Sequence, residues 1–427
     1  MTRYRWFVAV LLFLVGMLTY LDRTALSVVA PMIRKEFGFG DAQMGILFSA
    51  FFIGYCVFCF IGGWAADRYG PRKVFAWAVG IWSLFCGATA AATSFSHLLI
   101  LRIIFGTGEG PMGTTTNKAI ANWFPQSESG RAVGFTNAGQ PLGAAIAAPI
   151  VGLIALHYGW RISFVVIALI GFVWLALWLT CFRDRPAEHP RVNAAESRFI
   201  ESGRPSAPLV DTAAGHQPRS ILKLIFSAPV QGVAASFFCF NYVLYFFLSW
   251  LPSYLTDYQH LNVRDMSLVS ILPWLGAAAG FVLGGLLSDL LYRLSGSALF
   301  ARKFIIVMGL TVAALCVMLT ARVHTLWPAV TLIAVASLFA FMTPQACWSL
   351  LQDIVPDSHL GIAGGFVHFV ANIAGIFSPS ITGLLIQYGG GYGSAFILTS
   401  TLAATGVAAV LLLVRSTAVQ SLQATAH

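Results

Sequence analysis

Twelve apolar runs, each long enough to cross a bilayer as a helix, occupy most of this 427-residue chain. They lie at about 7–30, 43–66, 74–94, 98–121, 131–156 and 160–182, and then at about 229–256, 267–291, 303–321, 325–351, 360–387 and 392–414. Only 10% of the residues are charged, against roughly 25% in a soluble domain. Because lipid cannot satisfy backbone polar groups, such runs must be helical. The sequence therefore predicts an all-α membrane protein with twelve transmembrane helices.

A polar stretch divides the runs into six and six. We expect an N-terminal six-helix bundle over 1–182, a cytoplasmic linker over 183–226 with a short helix near 194–201, and a C-terminal six-helix bundle over 227–427. Of the 25 Lys and Arg residues, 17 fall on the linker side of the membrane and 5 on the opposite side. The positive-inside rule then places both termini and the linker in the cytoplasm of a multi-pass inner (plasma) membrane protein. The net charge of +9 is a topology signal rather than a nucleic-acid-binding surface.

The two halves of the chain repeat each other. Residues 62–67, Gly-Gly-Trp-Ala-Ala-Asp, return 222 positions later as residues 284–289, Gly-Gly-Leu-Leu-Ser-Asp. Gly134-Phe135 likewise returns as Gly365-Phe366. Two like-oriented halves predict pseudo-symmetric bundles related by an axis along the membrane normal, with a substrate site between them.

Four charged residues lie in the interior of the apolar runs: Asp22 and Arg23 in the first, Arg102 and Glu109 in the fourth. Lys118 lies near the cytoplasmic end of the fourth run, roughly opposite Glu109 on the helix, and is left out of the predicted site. A charge at the bilayer centre costs roughly 2.5–3.5 kcal/mol on insertion scales. Arg102 and Glu109 share a helix face because seven residues make nearly two turns, whereas adjacent Asp22 and Arg23 point in different directions. Two acids and two bases predict a proton site beside an anion site. The alternative is two structural ion pairs, Asp22 with Arg23 and Arg102 with Glu109.

Neutral polar side chains occupy matching places in the two halves. Asn137 and Gln140 lie in the fifth run, and His368 and Asn372 in the eleventh. The repeat predicts that both pairs face one cavity, although a single membrane histidine often serves packing alone. We find no nucleophile–base pair and no cluster with metal-ligand spacing, so we expect no enzyme activity, no metal and no cofactor.

These motifs resemble the major facilitator superfamily, and within it the anion:cation symporters, which include importers of galactonate, hexuronates and glucarate. The resemblance covers essentially the whole chain. The motifs that show it are Tyr20-Leu21-Asp22-Arg23, the glycine-rich basic loop at 62–73, Arg102 to Pro111, residues 247–255 (Phe-Leu-Ser-Trp-Leu-Pro-Ser-Tyr-Leu) and Trp348-Ser349-Leu350. The resemblance implies the major facilitator fold and alternating access to a central site.

Roles for individual residues follow from this resemblance. Asp22 and Glu109 would be the protonatable carboxylates, and Arg23 and Arg102 would bind the substrate carboxylate or hold those acids. The implied pocket lining adds Tyr20, Tyr55, Gln140 and Trp348, to which the repeat adds Asn137, His368 and Asn372. The implied cytoplasmic gate comprises Gly62, Gly63, Asp67, Arg68, Gly70, Arg72 and Lys73, with Asp289 as the second-half equivalent. Galactonate-type members carry an asparagine where this chain has His368, which leaves the substrate open.

We therefore predict a monomeric, lipid-embedded transporter that imports a small organic anion together with protons. A sugar acid (aldonate, uronate or aldarate) is the expected substrate. One alternative is a proton-driven exporter of drugs or other solutes, because Gly139-x-Pro141-x-Gly143 faintly resembles an exporter motif. A non-transporting nutrient sensor of the same fold is a second alternative.

Overall fold

The computed structural model describes residues 2–203, 218–356 and 359–415. The regular secondary structure of these residues is helical, with no β-strand among them, so the all-α prediction is confirmed. The helices are α1 (Tyr4–Phe37), α2 (Asp41–Tyr69), α3 (Pro71–Ala88), α4 (Phe95–Glu109), α5 (Met112–Trp123), α6 (Gln126–Tyr158), α7 (Trp160–Cys181), α8 (Ala194–Ser202), α9 (Pro218–Ile225), α10 (Ala228–Ser253), α11 (Val263–Val269), α12 (Ile271–Ser295), α13 (Ala298–Thr320), α14 (Leu326–Ala340), α15 (Thr343–Ile354), α16 (Leu360–Tyr388) and α17 (Tyr392–Leu413). In this part of the chain, 11 helical segments are long and apolar enough to span a membrane.

The fourth predicted span is broken into α4 and α5 at Gly110-Pro111. Proline has no backbone N–H and crowds the preceding turn, so a continuous helix is disfavoured there. Together α4 and α5 cover the predicted span, which accounts for the twelfth crossing. A matching interruption separates α14 from α15, where α15 begins 231 residues after α5. The broken helix thus recurs at the same spacing, 231 residues, as the repeat of Gly134-Phe135 at Gly365-Phe366. The break leaves Glu109 as the last residue of α4.

The described residues fall into two compact units. The first unit contains Met1–Val29 and Ala50–Gly215, and the second contains Ala30–Ser49 and His216–His427. The predicted linker helix is present as α8 in the first unit, whereas residues 204–217 of the predicted linker and 416–427 of the predicted C-terminal bundle lie outside the described residues. The domain boundaries at 182 and 227 stay predictions.

Helix α8 is fastened to the start of α1 within the first unit. The buried Glu196 carboxylate accepts hydrogen bonds from the Thr2 hydroxyl at 2.6 Å, the Tyr4 N–H at 3.1 Å and the Arg5 guanidinium at 3.0 Å. Arg5 also pairs with Glu128 of α6 at 2.7 Å. Charge-assisted hydrogen bonds of this kind are about twice as strong as neutral ones, so they anchor α8, in the first half of the predicted linker, to the first unit.

The second unit is built around α10, which is almost entirely buried and packs against α16 and α17. The end of α1 and the start of α2 also belong to this unit. There Arg34 bridges Asp41 at 3.0 Å and Asp257 at 2.6 Å. The Ser380 hydroxyl donates to the Ser49 hydroxyl oxygen at 2.7 Å. Polar contacts therefore join residues 30–49 to helices from the far end of the chain.

Candidate functional site

Close helix packing fixes the position of Glu109 at the end of α4. A Cβ atom added to Gly106 would collide with the Phe51 carbonyl oxygen of α2, and one added to Gly108 would lie 2.7 Å from the Trp82 nitrogen of α3. Only glycine permits such close approach of two backbones. The carboxyl of Glu109 is consequently fully buried in the first unit.

An ion pair links Glu109 to α1. The Arg23 Nε donates to Glu109 Oε2 at 2.6 Å, and both side chains are buried. Neither of the two alternative structural pairs is present: in the described residues, Asp22 is not ion-paired with Arg23, nor Arg102 with Glu109. The charges therefore pair between helices rather than along one helix, as the different directions of Asp22 and Arg23 allow.

Arg102 differs from Arg23 because no described acidic side chain lies within ion-pair distance of it. It is 5% exposed, and its Nε is a buried donor without a hydrogen-bond partner in the described structure. Its guanidinium lies over the rings of Phe51 at 5.2 Å and Phe105 at 5.1 Å. Cation–π contacts stabilise such a cation only partly. A buried arginine with an unused donor is suited to bind an anion.

Asp22 is a buried carboxyl with one weak donor. It is 1% exposed, and the thiol of Cys86 on α3 lies 3.9 Å from its Oδ1. It also lies within electrostatic range of Arg102, Arg23 and Glu109. An ionised carboxylate with so little hydrogen bonding is costly to bury. We call Asp22, Arg23, Arg102 and Glu109 the four-charge site.

Aromatic rings surround the Arg23 guanidinium. It lies 4.6 Å from the ring centre of Tyr55, 4.9 Å from that of Phe51 and 5.3 Å from that of Tyr20. The structure thus brings the predicted lining residues Tyr20 and Tyr55 to the four-charge site. Because Arg102 contacts the same Phe51 ring, the two guanidinium groups share one aromatic support.

Asn137 and Gln140 occupy neighbouring positions on α6. The Gln140 Nε2 donates to Asn137 Oδ1 at 3.5 Å. In the described structure neither residue hydrogen-bonds to the four charged groups. Gln140 lies beside Gly16 of α1, which is one helical turn before Tyr20. Asn137 and Gln140 therefore lie about one turn of α1 away from the charged groups and do not contact them directly.

The second-half candidates form a group of their own in the second unit. The Asn372 Oδ1 accepts a hydrogen bond from the Tyr245 hydroxyl at 2.8 Å, and its Nδ2 donates to the His368 carbonyl at 2.8 Å. The rings of Trp348 and His368 are 6.3 Å apart, and Phe237 lies 6.0 Å from Trp348. Trp348, His368 and Asn372 thus come together, with the Asn372 amide bonded within the unit.

The predicted gate loop is ordered by charge contacts in the first unit. Lys118 pairs with Asp67 at 2.6 Å. The Asp184 carboxylate accepts from the Arg72 N–H at 2.8 Å and so caps the N-terminus of α3. Burial raises the pKa of the Asp184 carboxyl, and this hydrogen bond partly opposes the rise. Gly70 precedes that terminus with a φ of 82°, a conformation that favours glycine.

Other gate candidates have local contacts. Gly62 packs against Pro111 at the α4–α5 break, Gly63 lies near Thr114, and Arg68 lies over the Tyr69 ring at 5.9 Å. Lys73 is exposed and lies within electrostatic range of the Asp184 carboxylate. In the second unit Asp289 pairs with Arg302 at 3.0 Å. Their part in gating stays a prediction.

Several residues at these sites were not singled out from the sequence. Phe105 lies three positions after Arg102 and Phe51 four positions before Tyr55, so helical spacing could have indicated both. Lys118, a charge near the cytoplasmic end of the fourth run, is not among the predicted site residues, and the structure pairs it with Asp67 of the predicted gate. Cys86 carries none, because a buried thiol is an ordinary packing residue.

Comparison with known proteins gives concordant results. The family model described as Major Facilitator Superfamily matches residues 12–300. The hexuronate transporter of Bacillus subtilis (strain 168) is 40% identical over 413 residues, covering 96% of this chain and 94% of the relative. The probable galactarate/D-glucarate transporter of the same organism is 31% identical, covering 97% and 92%. The xylose transporter of E. coli in an inward-open conformation shares the fold, with a TM-score of 0.77, 16% identity and 99% coverage of both chains.

Proposed function

The chain belongs to the major facilitator superfamily, and from that premise we propose that it imports a sugar acid together with protons by alternating access. It is a multi-pass membrane transporter and not an enzyme, since its family and close relatives are transporters. The substrate, the coupling ion and the direction are what we propose.

The observation that carries this proposal is the unequal state of the two buried arginines. Arg102 has an unused Nε donor and no acid within ion-pair distance in the described structure, whereas Arg23 is held by Glu109 at 2.6 Å. A planar guanidinium can bind both oxygens of a carboxylate. Arg102 is therefore the first anchor for a substrate carboxylate, and Arg23 becomes available only when Glu109 releases it.

Charge balance supplies the coupling. With both acids ionised, Asp22, Arg23, Arg102 and Glu109 carry no net charge. An anion entering this buried site alone would leave a net negative charge in a medium of low dielectric constant, which is unfavourable. A proton on Asp22 or Glu109 restores neutrality. Anion and proton therefore bind together more favourably than either does alone.

The relatives support a sugar acid as the substrate. A hexuronate transporter and a probable galactarate/D-glucarate transporter each align with more than nine-tenths of this chain. Such substrates combine a carboxylate with several hydroxyl groups. Arg102 suits the carboxylate, and the hydroxyl and amide groups of Tyr20, Tyr55, Asn137 and Gln140 suit hydroxyl groups.

The membrane, the oligomeric state and the orientation of the protein are also part of the proposed function. We place it in the inner membrane as a monomer, with the basic linker side in the cytoplasm. Trp348, His368 and Asn372 would contribute substrate contacts from the second half. The loop at 62–73 and Asp289 would govern opening toward the cytoplasm.

A thermal-shift screen of the purified protein tests the substrate class. Glucuronate, galactonate, glucarate and benzoate are compared at pH 5.5 and 7.5, with glucose as a matched neutral sugar. The proposal predicts stabilisation by sugar acids, more strongly at pH 5.5, and none by glucose. Tetraphenylphosphonium, a lipophilic cation, is screened beside them; stabilisation by this cation without any response to sugar acids would instead favour the exporter alternative.

A further inference from the structure

We propose that the four-charge site sets the proton number by the charge of its substrate: one proton accompanies a monocarboxylate and two accompany a dicarboxylate. The proposal rests on the proposed function, because it concerns the same site. It names the substrate class as sugar acids with one or two carboxylates, each carried without net charge.

Two guanidinium groups supply two carboxylate anchors. Arg23 and Arg102 lie 4.9 Å and 5.2 Å from the centre of the same Phe51 ring. The two guanidinium carbons are therefore at most about 10 Å apart, a span that an extended six-carbon diacid is long enough to bridge with one carboxylate on each group. Arg102 accepts the first carboxylate without rearrangement, since no described acid lies within ion-pair distance of it. A second carboxylate must replace Glu109 at Arg23.

Two carboxyls supply two proton-binding positions. Asp22 has only the distant Cys86 thiol as a donor, 3.9 Å from its Oδ1. Glu109 has Oε2 bonded to Arg23, but its Oε1 is buried without a hydrogen-bond partner in the described structure. A proton on Glu109 neutralises this carboxylate and lets Arg23 turn to a substrate. Each acid can therefore offset one substrate charge.

The groups around the four-charge site add no further proton-binding carboxyl, so the number of such carboxyls stays at two. Titratable or charged side chains that face the two acids or Arg23 come from four helices: Tyr20, Arg23, Tyr55, Cys56, Cys59, Cys86 and Arg102. Among the described residues, no carboxyl other than those of Asp22 and Glu109 belongs to this group. Tyrosines and thiols are ordinarily neutral in the physiological range, so they do not change the balance. A tricarboxylate would exceed the proton capacity of the site.

Accumulation ratios in proteoliposomes test the proton number directly. The membrane potential is clamped at zero, the outside is made one pH unit more acidic, and labelled glucuronate and glucarate are followed to steady state. Each coupled proton contributes a factor of about ten per pH unit. We expect about tenfold accumulation of glucuronate and about 100-fold accumulation of glucarate. An imposed membrane potential should change neither ratio.

Glu109→Gln removes one proton-binding carboxyl. Accumulation should then fall to about onefold for glucuronate and about tenfold for glucarate. Glu128→Gln is the matched control, because Glu128 also pairs with an arginine, Arg5, at 2.7 Å but lies outside the four-charge site. It should keep the wild-type ratios.

Equal wild-type ratios for the two acids would overturn the proposal while leaving sugar-acid symport intact. Uptake of neither acid would refute the proposed function itself. Equilibration of both acids without accumulation would refute proton coupling. The wild-type comparison needs no substitution, so it decides the question even if Glu109→Gln fails to fold.

Discussion

Replacing each buried arginine of the four-charge site by methionine should change stability in opposite ways. Methionine keeps an unbranched side chain and removes the charge. Arg23→Met removes the partner that donates to Glu109 at 2.6 Å. Arg102→Met removes a buried cation that has no acid within ion-pair distance in the described structure.

The magnitudes follow from what each change leaves behind. Arg23→Met leaves the Glu109 carboxylate buried and uncompensated, which costs about 3–5 kcal/mol. This loss should shrink at lower pH, because a protonated Glu109 carries no charge. Arg102→Met leaves no ion unpaired at short range. Because Arg102 has no ion-pair partner in the described structure, its removal also removes the cost of burying an isolated charge, so we expect the free energy of unfolding to stay the same or to rise.

Substrate binding should respond differently from stability. Arg102→Met loses the proposed hydrogen bonds to a substrate carboxylate, which contribute about 1.5–3 kcal/mol. The dissociation constant for glucuronate should therefore rise roughly 10- to 150-fold. Arg102→Met is thus expected to be as stable as the wild type, or more so, without ligand and to bind poorly.

Thermal unfolding in detergent at pH 7.5, with and without glucuronate, measures both effects for both variants. The wild type supplies the reference for the midpoint and for the ligand-induced shift. If Arg102→Met loses as much stability as Arg23→Met, or keeps its full ligand-induced shift, the assignment of Arg102 as the open anchor is wrong.

Two further predictions concern the scaffold. Gly106→Ala should lower the unfolding free energy by about 1–3 kcal/mol, because its Cβ meets the Phe51 carbonyl; Gly113→Ala, with nothing within 4 Å, should raise it or leave it unchanged in the same thermal assay. Burial raises the pKa of the Glu196 carboxyl, but the hydrogen bonds from the Thr2 hydroxyl and other donors outweigh this effect and hold the pKa below the ordinary 4.5. The ionised Glu196 carboxylate therefore contributes its full stabilisation of the fold above about pH 4.5, and this stabilisation is lost as the pH falls through the folded-state pKa. Glu196→Gln should destabilise the protein near neutral pH. In the wild type, limited proteolysis near α8 should increase as the pH falls, and the variant should show a weaker increase. An unchanged acid dependence would contradict this role.

The helical architecture was predictable because its determinants are local. Apolar runs of spanning length have few alternatives in lipid, and the described helices follow them closely. The break at Gly110-Pro111 was also signalled by proline chemistry, although a continuous fourth span was expected.

The sequence predicts which charged residues belong to the four-charge site, but not which of them pair. The sequence indicates that Asp22, Arg23, Arg102 and Glu109 share a polar interior, since isolated charges there are unfavourable. It does not determine that Glu109 meets Arg23 while Arg102 rests on aromatic rings. That choice depends on close packing of α4 against α2 at Gly106. Contacts between distant segments set it, and helical spacing within one segment carries no such information.

Proton-driven uptake by an Asp22→Asn variant tests the central claim most directly. The substitution leaves Arg23, Arg102 and Glu109 with one net positive charge, so a monocarboxylate no longer needs a proton. In proteoliposomes we expect this variant to exchange internal glucuronate for labelled external glucuronate, but not to accumulate it under an inward pH gradient. Wild-type accumulation by Asp22→Asn would contradict the coupling of anion and proton at this site.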